Sequence, residues 1–186
     1  MSFILSFIIT WFITFFIGLI LTPILKKLSF KIGAVDKPNA RRINKVIMPT
    51  AGGLPIFLAF SISTLFILPH QIQIPNYLDY VLPIVAGAFI IVVTGLIDDI
   101  KELSPKKKSI GILIAAFVIY LFSDIHFDTF SIPFLLRTVH LNWWLSLPLT
   151  IIWIFSLTNA VNLIDGLDGL ASGVSIISLA TIGIVG

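Results

Sequence analysis

Residues 3–25 run without a single charged side chain. A bilayer core about 30 Å thick needs roughly 20 apolar residues in a helix, so this stretch alone can cross one. It is too long, and too poor in basic residues at its start, for a cleaved signal peptide. Four further stretches follow over residues 51–68, 81–97, 109–123 and 146–164, and a sixth opens at Ala171 and is still apolar at Gly186. In lipid such segments must be helices, because an isolated strand leaves its backbone polar groups unsatisfied. Hydrophobic residues make up 58% of the chain and charged residues 11%, with a mean hydropathy of +1.08. A soluble domain is about half apolar and about a quarter charged, so a disordered chain, a nucleic-acid-binding arm and most water-soluble enzymes are excluded. Buried helices of a large soluble protein would need polar faces that these stretches lack. The expected fold is all-α: one polytopic membrane helix bundle of about six transmembrane helices, with residues 1–186 as a single membrane domain.

Charge sets the expected orientation. Lys26, Lys27, Lys31, Lys37, Arg41, Arg42 and Lys45 lie between the first two spans, and Lys101, Lys106, Lys107 and Lys108 between the third and fourth. Of the basic residues only Arg137 falls on the other side. The positive-inside rule places both basic loops in the cytoplasm and the N-terminus outside, in a multi-pass protein of the cell membrane. On the outer side, Ile125, Phe127 and Thr129 alternate with His126, Asp128 and Phe130, a pattern suited to a small hairpin. Trp143 and Trp144 suit the interfacial aromatic belt. His70, His126 and His140 all lie outside and need no special role. There is no cysteine, which excludes disulfides, thiolate metal sites and a cysteine nucleophile.

The chemistry-bearing residues collect at one membrane face. The third span ends at Asp98-Asp99, and the fifth ends in a run from Asn159 and Asn162 through Asp165 and Gly166 to Asp168 and Gly169. Both carboxylate pairs sit where the helix dipole is negative and disfavours anions, and adjacent like charges add repulsion. A nearby cation removes both penalties. Ionisable groups at membrane depth mark function by default. Magnesium prefers oxygen ligands and is usually held by one or two carboxylates together with substrate phosphates. Aspartates beside a basic loop therefore point to a phosphate-bearing substrate with Mg²⁺. Most of the lysines and arginines serve topology, and a few are free to clamp phosphate. No Walker or Rossmann glycine loop is present, and no Ser-His-Asp or Cys-His arrangement assembles on this side.

Three motifs resemble those of the polyprenyl-phosphate N-acetylhexosamine-1-phosphate transferases, glycosyltransferase family 4. They are Asp36-Lys37-Pro38-Asn39-Ala40-Arg41-Arg42 continuing to Pro49 and Gly52-Gly53; Asp98-Asp99 followed by Leu103-Ser104-Pro105 and the lysines; and the run from Asn159 to Ala171. The first motif is similar to the bacterial branch that loads N-acetylglucosamine-1-phosphate onto undecaprenyl phosphate. The resemblance implies Mg²⁺-dependent transfer (Mn²⁺ as the alternative) from a UDP-sugar such as UDP-N-acetylglucosamine, with release of UMP, in cell-wall or surface glycopolymer synthesis. It implies catalytic roles for Asp98, Asp99, Asp165 and Asp168. Asp98 would stand next to the lipid phosphate as base or orienting group, with Asp99 and Asp165 towards the metal. Asn159, Asn162, Lys37, Arg41 and Lys108 would bind substrate, Lys108 as a phosphate clamp with Lys106 its rival. The chain departs from the family at Asn44, often His, and at Ile112, commonly Gln.

The family's third aspartate motif and its histidine motif lie later than these residues reach. The last apolar stretch has only about 24 Å of helix at 1.5 Å per residue, too short for the bilayer core. The expectation is five spans and most of a sixth, cut from a longer protein. Alternatives from other classes are a non-catalytic scaffold of the same family and an ion-coupled membrane transporter. Expected partners are the two substrates and the membrane, with a homodimer as one option and no nucleic acid.

Overall fold

The computed structural model describes residues 3–36, 46–71, 74–132, 137–165 and 169–185. The chain divides into two compact units, Met1–Ile125 and His126–Gly186.

In the first unit, α1 (Phe3–Ile32) runs on past the last residue of the charge-free stretch. At 1.5 Å per residue it is about 45 Å long, so its lysine-bearing turns extend beyond a core of about 30 Å. Its end is set by Gly33, whose φ of +79° lets the chain reverse. The Ala34 N–H then donates back to the Ser29 carbonyl at 3.0 Å, and the Ala34 side chain is fully buried. This is the glycine-terminated helix end in which the residue after the glycine seals the last turn. The chain leaves it as β1 (Val35–Asp36), paired antiparallel with β2 (Met48–Pro49) so that Asp36 faces Met48.

The second span is a composite. α2 (Gly53–Ile62) passes through a π turn at Ser63–Ile67 into α3 (Leu68–Gln71). Within it the Leu68 N–H reaches five residues back to the Ser63 carbonyl. Two hydroxyls brace the irregular turn: Thr14 of α1 donates to Ser63 Oγ at 2.6 Å, and Tyr77 donates to the Thr64 carbonyl at 3.0 Å.

α4 (Tyr77–Lys101) and α5 (Pro105–Phe122) form an antiparallel hairpin. Small residues bring the two together: Gly87 lies against Ile119, Gly111 lies against Thr94, and Ala115 and Ala116 are fully buried. Close approach through small residues is how helices associate in lipid, where no hydrophobic force acts between them.

The second unit holds the expected hairpin. β3 (Thr129–Ile132) pairs with β4 (Arg137–His140), starting a few residues later than the alternation suggests. The Phe127 N–H donates to Thr150 Oγ1 at 3.1 Å, tying the approach to the hairpin onto α6 (Trp143–Ile164). α7 (Leu170–Val185) follows.

Among the described residues, four stretches, Leu5–Ile32, Gly53–His70, Tyr77–Lys101 and Trp143–Ile164, are long and apolar enough to span a bilayer. α5 is of spanning length but carries three lysines in its first turns, and α7 has 16 residues. Large apolar side chains such as Phe7, Trp11, Phe15 and Ile20 point outward, while Ser6, Ser29, Ala115 and Ala116 are buried. That inverts the soluble pattern and suits a lipid surround. The chain is a multi-pass all-α membrane protein, as expected.

Candidate functional site

Three elements of the first unit end together. After the reversal at Gly33 the chain runs into Asp36, β2 leads into Thr50, and the last turn of α4 brings Asp98 and Asp99 beside them. Val35, Asp36, Thr50, Asp98, Asp99, Glu102 and Leu103 line an open cleft of about 420 Å³. Its side-chain donors are all oxygen: three aspartates, one glutamate and a hydroxyl.

Asp98 is held most completely. Its Oδ2 accepts from Lys108 Nζ at 2.9 Å and its Oδ1 accepts from the Leu103 N–H, also at 2.9 Å. Its backbone carbonyl accepts the Glu102 N–H at 2.8 Å. The Leu103 N–H reaches the carboxylate as the chain turns through Glu102, which is left-handed, φ +48° and ψ +74°, at the end of α4. For a residue with a Cβ this conformation costs about 1–2 kcal/mol. Ser104, in extended conformation, then caps α5, with its carbonyl accepting the Lys107 N–H at 2.9 Å, and Pro105 opens the helix.

Charge explains why Lys108 and Asp98 meet. Asp98 and Asp99 lie in the last turn of α4, and Lys106, Lys107 and Lys108 in the first turns of α5. Each group has the sign that its own helix dipole disfavours. Across the hairpin the two errors compensate, and the Lys108–Asp98 ion pair is partly shielded, with side chains 28% and 22% exposed. Lys106 and Lys107 are exposed.

The second unit carries the other expected residues. Asn159 Nδ2 donates to the Phe155 carbonyl one turn back at 2.8 Å, which holds the amide against its own helix. Asn162 is exposed. Asp165 ends α6, its N–H donating to the Val161 carbonyl at 3.1 Å, and its side chain is exposed. Gly169, at φ +80°, reverses the chain before α7. Lys37, Arg41 and Asp168 lie outside the described residues, as does Asn44. Ile112 is buried, 3% exposed.

The structure thus brings Asp98, Asp99 and Lys108 together. It adds three cleft residues that received no role from the sequence: Asp36, Thr50 and Glu102. Asp36 stood in a recognised motif, but only the β1–β2 pairing brings it beside α4. Glu102 had no local signal. Among the described residues no three acidic, histidine or cysteine side chains converge as a metal cage. The all-oxygen donor set does fit a hard cation such as Mg²⁺ held by one or two carboxylates with phosphate and water completing its shell.

The profile of glycosyl transferase family 4 matches residues 81–186. The chain is 41% identical over 167 residues to a probable undecaprenyl-phosphate N-acetylglucosaminyl 1-phosphate transferase of Bacillus subtilis (strain 168), covering 90% of this chain and 44% of that protein. It is 30% identical over 171 residues to the undecaprenyl-phosphate alpha-N-acetylglucosaminyl 1-phosphate transferase of Salmonella typhi, covering 87% and 42%. It is 31% identical over 177 residues to a phospho-N-acetylmuramoyl-pentapeptide-transferase of Staphylococcus epidermidis, covering 87% and 53%. The chain spans about half the length of the curated relatives it matches. No solved structure matches it.

Proposed function

Since the chain belongs to glycosyl transferase family 4, we propose that it serves the transfer of N-acetylglucosamine-1-phosphate from UDP-N-acetylglucosamine to undecaprenyl phosphate, with release of UMP. The observation that carries this reading is the open cleft lined by Asp36, Asp98, Asp99 and Glu102 at the lysine-rich end of the α4–α5 hairpin. A phosphate-bearing substrate pair needs such a place, with oxygen donors for a metal and positive side chains alongside.

An oxygen of the lipid phosphate bonds to the sugar-bearing phosphorus as that phosphorus parts from the oxygen that leaves with UMP. A phosphate monoester has its second pKa near 6, so the attacking group is already mostly dianionic at neutral pH. The protein's task is then to orient two anions and offset their repulsion. Asp98 stands beside the lipid phosphate as base or orienting group. Asp99 is the carboxylate of the first unit assigned to Mg²⁺, and Asp165 is assigned the same role in the second. When bound, Mg²⁺ supplies Lewis-acid stabilisation of charge on the phosphoryl oxygens. Asn159, Asn162 and Asp168 serve the nucleotide-sugar, and Lys37 and Arg41 the phosphates. The basic loops face the cytoplasm.

The test is direct. The complete protein, purified and given UDP-N-acetylglucosamine, undecaprenyl phosphate and Mg²⁺, should release UMP and form a lipid-linked sugar diphosphate in equal amounts. UMP release that does not depend on the lipid phosphate would overturn the reading.

A further inference from the structure

The Asp98 carboxylate is engaged at both oxygens, by Lys108 Nζ and by the Leu103 N–H. The second bond exists because Glu102 is left-handed: its N–H closes the last turn of α4 on the Asp98 carbonyl, and the next N–H then falls on the Asp98 side chain. In the common form of this helix end the second N–H would go to a backbone carbonyl. Here the Asp98 carboxylate takes that place. We propose that Lys108 and the left-handed Glu102 turn are positioning elements that hold Asp98 in one orientation, so that Lys108 acts on the reaction through Asp98 and not by gripping a substrate phosphate. This rests on the functional reading above and sharpens it: Asp98 is an oriented anion built into the turn, and Glu102 contributes its backbone geometry, not its carboxylate.

A positioning role and a phosphate clamp separate in kinetics, since a lost clamp weakens substrate binding whereas a misplaced Asp98 slows the chemical step. In the complete protein, Lys108→Gln should lower kcat by about 10–100-fold, the scale of a misplaced reacting group, while KM for both substrates stays within about threefold. Residues acting as one unit are non-additive, so Asp98→Asn with Lys108→Gln should be no slower than Asp98→Asn alone. Glu102→Gly keeps the left-handed turn and removes the carboxylate, whereas Glu102→Val opposes the turn. Glu102→Gly should therefore retain at least about tenfold more activity than Glu102→Val. A KM increase of about tenfold or more in Lys108→Gln with kcat preserved, multiplying losses in the double variant, or equal losses in the two Glu102 variants would each overturn the proposal. The same Asp98 and Lys108 variants, unfolded thermally in detergent, give a readout that needs no activity. Shifts in Tm that fail to add support the pairing, and additive shifts overturn it. A complete protein without UMP release sinks the functional reading alone, and the unfolding cycle still decides the pairing.

Discussion

Gly111 of α5 lies so close to Thr94 of α4 that a Cβ built on it would fall 2.5 Å from Thr94 Cγ2 and 3.0 Å from Thr94 Cβ. Thr94 is β-branched, and its hydroxyl is bound to the Ile90 carbonyl at 2.7 Å, so it has little freedom to turn away. The contact sits one turn from Asp98 along α4 and three residues from Lys108 along α5. Gly111→Ala should therefore push the helices apart where the ion pair is set. The expected destabilisation is about 1–3 kcal/mol, as for other overpacked interiors. Gly87→Ala meets Cγ1 and Cδ1 of Ile119, at 2.5 Å and 2.6 Å, and because Ile119 is also β-branched it should destabilise on a similar scale. Thermal unfolding of the two variants in detergent should show a loss at each position, and a variant as stable as the unaltered protein at either would count against this packing.

The π turn makes a second expectation. Its irregular backbone is braced by the Tyr77 hydroxyl on the Thr64 carbonyl. Tyr77→Phe removes that donor and keeps the ring. Its expected cost is about 1 kcal/mol, typical of one intramolecular hydrogen bond. Double-mutant cycles with Thr14→Val, which removes the other brace, test whether the two act on the same turn. Strictly additive losses would show that they do not.

The spans were legible because lipid leaves a chain so few choices: every long apolar stretch became a helix. Their ends were less so, because counting apolar residues stops at the first charge, while helical hydrogen bonds continue through Lys26, Lys27 and Lys31 or through Asp98 and Asp99. Long cationic side chains can reach the interface from such turns. Asp98 and Asp99 could be singled out from charge placed at an unfavourable helix end, and Lys108 from the family resemblance. Their mutual geometry could not, since it depends on a left-handed glutamate, a conformation that local pattern assigns to glycine or asparagine. Asp36 and Thr50 join the cleft through strand pairing between segments separated by a loop, a relation that no local window contains.

These 186 residues hold no cysteine, so single cysteines introduced among them, expressed as this chain, can report its orientation. Lys107 and Asp124 are exposed near opposite ends of α5, with about 25 Å of helix between them. With the basic loops inside, a membrane-impermeant maleimide applied to intact cells should label Asp124→Cys and spare Lys107→Cys. Inverted membrane vesicles should reverse the pattern. Labelling of Lys107→Cys from outside would invert the assigned topology and move the cleft to the wrong side for a nucleotide-sugar.

Asp99 gives the sharpest chemical expectation. It lines the cleft beside Asp98, yet successive residues of a helix project in different directions, which allows the two carboxylates distinct tasks. If Asp99 holds Mg²⁺, Asp99→Asn in the complete protein should cut UMP release by at least about 100-fold, the scale of one lost electrostatic stabiliser. Asparagine matches the shape of aspartate, so the fold should persist and Tm should fall little. Activity of the unaltered protein should vanish in EDTA and return with excess Mg²⁺, or with Mn²⁺ as the substitute. The variant should need far more metal to recover any activity, because a neutral amide binds a hard dication more weakly than a carboxylate does. An unchanged metal requirement in Asp99→Asn would remove this residue from the metal site and leave the remaining carboxylates of the cleft as the candidates to replace it.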